Sequence, residues 1–276
     1  MTVVIPSLRG GSALVRLVRT LKLTNGALEV IVADNGLAPG TRSLLDGTPA
    51  QVVAMGSNLG FGAAVNRAAR MAHTDVLAVL NDDIDPEPGF LDALVAPLAG
   101  GAGMVAGVLV QARAPGLIET AGVELDRTLI GADYLQNAPV ACLEQSLPPP
   151  FGPSGGAAAY PLAAFREVGG FDENFFAYFE DVDLAIRMRA RGATCALAPR
   201  ARALHAGSGT LGYRSLAKAN LVGFSRGYLL HKYGVLRRPR AAAAALAGEA
   251  IAVLLLARQH RSLSPAVARL KGWRRC

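Results

Sequence analysis

Apolar and polar positions along the chain follow two alternating rhythms. Short apolar runs at residues 2–6, 28–33, 51–55, 76–80 and 104–110 are the length of strands, of which 104–110 reads as buried and 76–80 as buried on both faces. Between them, Leu14, Leu17, Val18 and Leu21, and then Ala64, Val65, Ala68, Ala69 and Met71, recur at helical spacing, with a further helix over 88–98. Strand, helix and strand in this order predict an α/β fold with a mostly parallel, Rossmann-like central sheet flanked by helices.

Further on the rhythm loosens. Residues 117–133 alternate irregularly, as in an excursion or hairpin, and the proline-rich stretch 139–153 has no helical period and reads as a mobile loop over the carboxyl edge of the sheet. Residues 155–160, Gly-Gly-Ala-Ala-Ala-Tyr, are so small-sided that a ligand or another backbone could come close to them. A short helix over 161–168 and a turn at 169–172 then lead into Phe175, Phe176, Tyr178 and Phe179, followed by Glu180-Asp181-Val182-Asp183 and a helix that Gly192 ends. Asp183 and Arg187 are spaced to pair along that helix, which leaves Glu180 and Asp181 at its exposed start. A last strand over 194–198 precedes His205.

Several points in this pattern can carry chemistry. The 76–80 run stops in Asn81-Asp82-Asp83, where an open parallel sheet usually binds its ligand. Crowded carboxylates repel one another unless a cation neutralises them, and hard ions such as Mg²⁺ or Mn²⁺ take oxygen ligands and bring phosphates with them. The competing reading is a solvated acidic turn that opens a helix at Pro86 and Pro88. Glu180 and Asp181 either compensate a helix dipole or, beside an aromatic wall that raises a carboxylate's pKa, offer a general base. Asp34-Asn35-Gly36 suits a nucleotide base or ribose, or ordinary turn chemistry, and the glycines at 56–62 either bring amides to an anion or pack a loop on the sheet.

Composition narrows the choice. At 276 residues and 51% hydrophobic, the chain can bury a substantial core. Cys142, Cys195 and Cys276 are too widely spaced for a disulfide framework or a zinc site, and with no leader-like N-terminus they point to the cytosol. No Gly-x-Gly-x-x-Gly follows the first strand, which argues against a dinucleotide oxidoreductase. The net charge of +7 is concentrated late: from Arg200 onward about fifteen Lys and Arg face one acid, Glu249. No stacking aromatics accompany that basic tail, so nucleic acid is not its partner.

The segments Val4-Ile5-Pro6, Val32-Ala33-Asp34-Asn35-Gly36, Asn58-Leu59-Gly60-Phe61-Gly62 with Asn66, Leu80-Asn81-Asp82-Asp83, and Gly169-Gly170-Phe171-Asp172-Glu173 through Phe179-Glu180-Asp181-Val182-Asp183-Leu184 together resemble the family-two inverting glycosyltransferases of GT-A fold, in the rhamnosyltransferase-like branch. The resemblance covers about three quarters of the chain. It implies that Asp181 deprotonates an acceptor hydroxyl and that Asp83, with His205, holds a divalent cation, Mg²⁺ or Mn²⁺. Pro6, Asp34, Asn58, Gly60, Asn66, Asp82, Gly155, Gly156 and Glu180 would contact the nucleotide sugar. The implied donor is deoxythymidine-diphosphate-rhamnose first and a uridine-diphosphate hexose second. Relatives commonly carry Asn-Pro-Asp or Asn-Asn-Asp where this chain has Asn-Asp-Asp, which leaves the metal role open between Asp82 and Asp83. Leu37 also replaces a small hydroxylated residue after the second strand.

This divides the chain into a catalytic GT-A domain, residues 1–210, and a basic, partly apolar helical extension, 211–276. Residues 213–233 read as one helix, and 241–257 are apolar apart from Gly248 and Glu249, with arginines on both flanks. That helix either packs on the domain or lies in a membrane interface. In the second case the acceptor implied is a lipid-linked saccharide of cell-envelope assembly, reached from the cytoplasmic face. A transferase acting on a soluble product, and a sugar-nucleotide-binding protein without transferase activity, are the alternatives.

Overall fold

Alternation within the first strand decides the layering. Val3 and Ile5 join one apolar cluster with Leu14, Leu17, Leu91 and Leu94, whereas Val4 joins another with Val65, Phe165, Phe171 and Leu184. A sheet apolar on both faces needs cover on both. The computed structural model describes residues 1–206 and 215–275.

Its strands are β1 (Thr2–Ser7), β2 (Glu29–Asp34), β3 (Ala50–Ala54), β4 (Val76–Leu80), β5 (Ile84–Pro86), β6 (Met104–Gln111), β7 (Ile118–Thr120), β8 (Val123–Leu125), β9 (Gly131–Asp133), β10 (Ala157–Pro161) and β11 (Cys195–His205). Helices α1 (Ser12–Thr20), α2 (Thr41–Leu45), α3 (Phe61–Ala69), α4 (Phe90–Ala99), α5 (Leu162–Glu167) and α6 (Glu180–Ala190) alternate with them, and α7 (Leu216–Lys232), α8 (Pro239–His260) and α9 (Ser264–Trp273) follow. The main sheet runs β3-β2-β1-β4-β10-β6-β11-β5, with β7 added beside β6. Strands β3, β2, β1 and β4 are parallel, as are β6 and β11, while β10, β5 and β7 run against their neighbours. The expected mostly parallel α/β sheet with a helical extension is therefore present.

The small-sided run 155–160 supplies β10, the strand that joins the two parallel halves: Ala158 pairs with Val79 on one side and Ala106 on the other. Its alanines pack against two neighbouring backbones, which is the close approach their size allows. The last strand continues past residue 198, through an irregularity between Leu197 and Arg202, to His205. The stretch 139–153 differs from the mobile loop expected. Leu143 is buried with Val108, Val110 and Tyr134, the Tyr134 hydroxyl donates to the Pro148 carbonyl at 2.6 Å, and Gly152 bridges to Val123. Apolar residues that lack a helical period here cover a small core of their own.

The extension is fastened by polar and close-packed contacts. Lys232 lies 2.6 Å from both Asp172 and the fully buried Asp183, and Asp183 also accepts from Arg187 and Tyr233 at 2.8 Å. The expected pairing of Asp183 with Arg187 is thus part of a wider network. Helices α7 and α9 meet through glycines: a β-carbon on Gly227 would stand 1.9 Å from the Arg269 carbonyl oxygen, and one on Gly272 the same distance from that of Phe224. Glu249, the lone acid of α8, turns inward to accept from Arg226 at 2.6 Å and Arg269 at 2.7 Å. On the outer side Leu246, Ile251, Leu254 and Leu255 are more than half exposed. The helix expected over 213–233 begins at Leu216 among the described residues, and Tyr213 lies outside them.

Candidate active site

One cavity of about 780 Å³, within the size range of small-molecule sites, opens at the carboxyl edge of the sheet. Pro6, Asn58, Gly60, Asp82, Asp83, Gly155, Gly156, Glu180, Asp181 and His205 line it together. The acids after β4 and those opening α6, a hundred residues apart in sequence, therefore face the same space.

At one corner β4 ends and Asp82 accepts from the Ser7 hydroxyl at the end of β1. Burial, with the neighbouring Asp83 charge, raises Asp82 above the usual carboxylate range despite that hydrogen bond. Asp83 Oδ1 is 3.0 Å from His205 Nε2, and the other ring nitrogen, Nδ1, is 2.8 Å from Glu119. Strand β11 makes this meeting possible by running on until the Ala206 amide reaches the Asp83 carbonyl at 3.2 Å. Burial disfavours a charged imidazole, but Asp83 and Glu119 outweigh it and push His205 up to about 9. Among the described residues, no three His, Cys, Asp or Glu side chains surround a point that could hold a metal. Asp83 and His205 nonetheless offer an oxygen and a nitrogen within 3.0 Å in a field that holds a proton firmly, a donor set that suits a divalent cation completed by phosphate oxygens.

At the other corner stands the start of α6. Tyr178 and Phe179 both take left-handed backbone angles, φ 68° and 67°, a strained conformation for non-glycine residues. Surrounding contacts impose it. The Phe176 carbonyl accepts from the Phe61 amide at 2.9 Å, where a β-carbon on Gly60 would clash at 2.3 Å, and the Ala177 carbonyl accepts from Ser225 of α7 at 2.9 Å. Glu180 is buried instead of sitting at an exposed helix start, packed close to Gly62 of α3, and its Oε2 has no hydrogen-bond partner among the described residues. Asp181 reaches the cavity with its carboxylate steered by two amides, Gly155 at 3.2 Å and Val182 at 2.8 Å. Burial raises both carboxyls above their ordinary range; the Asp181 charge pushes Glu180 further up, and the Asp133 charge adds to the rise at Asp181.

Two residues named from the sequence stand apart from the cavity. Asp34 is engaged by the amides of Gly36 and Leu37, at 3.1 and 2.8 Å, and by Arg42, so that Asn35 lines the wall in its place. Asn66 is buried, donates to the Phe171 carbonyl at 2.8 Å and accepts from the Phe171 amide at 2.9 Å, and so pins the turn before the aromatic loop. Conversely, Ser7, Glu119, Asp133 and Lys218 line the cavity without having been singled out. Ser7 closes a strand already recognised, whereas Glu119 and Asp133 sit on strands of three residues with no periodic signal.

Residues 2–122 match the model of Glycosyl transferase family 2. Over 224 residues the chain is 32% identical to the N-acetylglucosaminyl-diphospho-decaprenol L-rhamnosyltransferase of Mycobacterium tuberculosis, covering 71% of this chain and 72% of that protein. The chain belongs to glycosyltransferase family 2. Among solved structures, the mannosyltransferase from Pyrobaculum calidifontis in complex with GDP-Man and Mn²⁺ aligns with TM-score 0.57 at 18% identity, over 98% of this chain and 85% of that one. GalNAc-T7 with UDP, GalNAc and Mn²⁺ aligns with TM-score 0.60 at 15% identity over 87% of this chain, which spans about half (52%) of that protein. Both share the fold.

For this family 2 glycosyltransferase the cavity sets a pH dependence. With Asp181 as the base proposed below, useful only when unprotonated, kcat/KM should fall on acidification through a pKa above the ordinary aspartate range. Asp133→Asn removes a like charge from Asp181, stabilises its ionised form, and should shift this acid limb to lower pH. Initial rates across pH for both proteins check it; coincident profiles would show that the limb belongs to another group.

Proposed function

We propose that the enzyme transfers rhamnose from deoxythymidine-diphosphate-rhamnose to a hydroxyl of a polyprenyl-diphosphate-linked saccharide, with inversion, during assembly of a cell-envelope glycan. The observation that carries the reading is the convergence of Asp181 with the Asp83 and His205 pair in one cavity, and the Mycobacterium relative favours this donor and acceptor. Asp181 would take the acceptor proton. Its two amide donors fix the carboxylate's direction, and burial keeps it more basic than a solvated aspartate. Glu180, buried and further raised, would stay protonated near neutrality and spare Asp181 a second adjacent charge. Pro6, Asn58, Gly60, Asp82, Gly155 and Gly156 would bound the nucleotide sugar; the two glycines let this wall pack closely, since a β-carbon on Gly155 would press on Phe61 at 3.0 Å and one on Gly156 on Leu109 at 2.8 Å. Asp83 and His205 would hold Mg²⁺ or Mn²⁺, which when bound neutralises the departing diphosphate.

The test is release of nucleoside diphosphate on mixing enzyme, deoxythymidine-diphosphate-rhamnose, Mn²⁺ and a short-chain lipid-diphosphate N-acetylglucosamine. Chelation of the metal should stop it. A protein that bound the donor yet released nothing on addition of acceptor would be a binding protein, and the transferase mechanism would fall.

The chain would work as two units, a catalytic domain (1–210) and a membrane-contacting extension (211–276) at the cytoplasmic face. Among the described residues, α8 is the one helix long and apolar enough to cross a membrane, with a mean hydropathy of 1.8. With Glu249 held inward, its outer face is apolar and its ends carry Arg237, Arg238, Arg240, Arg258 and Arg261, which suits a helix lying in an anionic interface. The protein should float with anionic liposomes, and Leu254→Glu with Leu255→Glu should abolish flotation. Wild-type protein that remained in the soluble fraction would exclude the membrane contact.

A further inference from the structure

The cavity has six carboxylates in its wall, Asp82, Asp83, Glu119, Asp133, Glu180 and Asp181, and among the described lining residues Lys218 is the only lysine or arginine. A surface so acidic repels an anionic ligand unless a fixed cation meets it. Lys218 does not belong to the GT-A sheet. It lies in the first turn of α7, with its amide capped by the Ser215 hydroxyl at 3.1 Å, and its ammonium is held 5.3 Å above the Tyr178 ring, two residues from Glu180. An ammonium over an aromatic face is attracted to it, and a helix N-terminus adds positive potential of its own. Lys218, Leu221, Val222 and Ser225 recur at i, i+3, i+4 and i+7, so they share one face of α7. Ser225 fastens that face to the aromatic loop, while Leu221 and Val222 line the same cavity as Lys218. Along α7 the wall therefore passes from the Lys218 ammonium, beside the carboxylates, to aliphatic side chains, on the helix that leads toward the apolar, outward-facing α8.

A lipid-linked sugar has three parts in that order: a hydroxyl-bearing ring, a diphosphate and a hydrocarbon chain. We infer that Lys218 recognises the diphosphate of a lipid-linked acceptor whose sugar lies at Asp181 and whose hydrocarbon leaves along Leu221 and Val222. This rests on the acceptor class proposed above and adds the residue that selects it. The extension thus furnishes part of the acceptor site as well as contacting the membrane.

The experiment compares an acceptor with and one without the diphosphate, farnesyl-diphosphate-linked N-acetylglucosamine and the neutral farnesyl glycoside, with wild-type, Lys218→Met and Lys218→Arg enzymes. Met keeps an unbranched side chain of similar length and removes the charge. The ratio of kcat/KM for charged over neutral acceptor should fall roughly 10- to 100-fold in the Met variant, the worth of one charged hydrogen bond, and recover in the Arg variant. In parallel, farnesyl diphosphate is titrated by calorimetry into each protein already saturated with deoxythymidine diphosphate and Mn²⁺, with weaker binding expected for Lys218→Met. An unchanged ratio, an equal rise in donor KM with both acceptors, or equal farnesyl diphosphate binding by wild type and Lys218→Met would each overturn the inference. Wild-type enzyme that binds farnesyl diphosphate through Lys218 but turns over neither acceptor would leave the inference standing and reject the acceptor sugar proposed above.

Discussion

Asp181→Asn should bind donor and Mn²⁺ as the wild type does and lose roughly 10²- to 10⁴-fold in kcat, the usual contribution of a positioned general base. Asparagine keeps the size of the side chain and an oxygen to accept from Gly155 or Val182, so the helix start and the aromatic loop have no cause to move. What disappears is the ability to take a proton. Titration calorimetry with donor and metal, set beside single-turnover rates, separates the two effects. Undiminished turnover would place the base elsewhere, and Glu180 and Asp133, the neighbouring carboxylates of the same cavity, would be next in line.

Glu249→Ala should be the most damaging change outside the cavity, costing about 3–5 kcal/mol, as expected when one partner of a buried ion pair is removed. It leaves Arg226, itself 4% exposed, and Arg269 without their shared carboxylate. Arg226 also donates to the backbone carbonyls of Thr128 and Leu129, in the turn between β8 and β9. That hairpin carries Gly131, Ala132 and Asp133 into the cavity wall. The loss should therefore show as a lower melting temperature, faster proteolysis near α8 and reduced activity together. A stable but inactive variant, or an unchanged melting temperature, would mean that the pair does not hold the extension in place.

The parts of the fold legible in the sequence were those whose signal is local. Strands β1, β2, β4 and β6 are β-branched or aliphatic runs, and α1 and α3 carry an apolar face, so each can be read from its own residues. Asp83 and Asp181 were legible because acids that end a buried strand or follow an aromatic run break a pattern. Strand β10 was not, since Ala157, Ala158 and Ala159 favour no strand by themselves and are extended only because β4 and β6 flank them. Likewise β5 has three residues and exists through its pairing with β11, and the far end of β11 lies beyond a bulge. Glu119 and Asp133 gain their significance wholly from tertiary placement. Asn66 shows the converse: it belongs to a recognisable motif, yet its amide is consumed in holding Phe171.

The reversed direction of β10 has a consequence for the kind of ligand this edge can accept. Ala157 pairs with Leu80, so β10 begins where β4 ends. In a strand the N–H and C=O groups point sideways in turn, toward whatever lies beside them. Just before β10 the Gly155 amide donates to Asp181 at 3.2 Å, and the next carbonyl, of Gly156, accepts from the Asn81 amide at 3.0 Å. The rim therefore presents hydrogen-bond donors and acceptors side by side. That mixture matches a substrate which is itself both, phosphate oxygens at one end and sugar hydroxyls at the other.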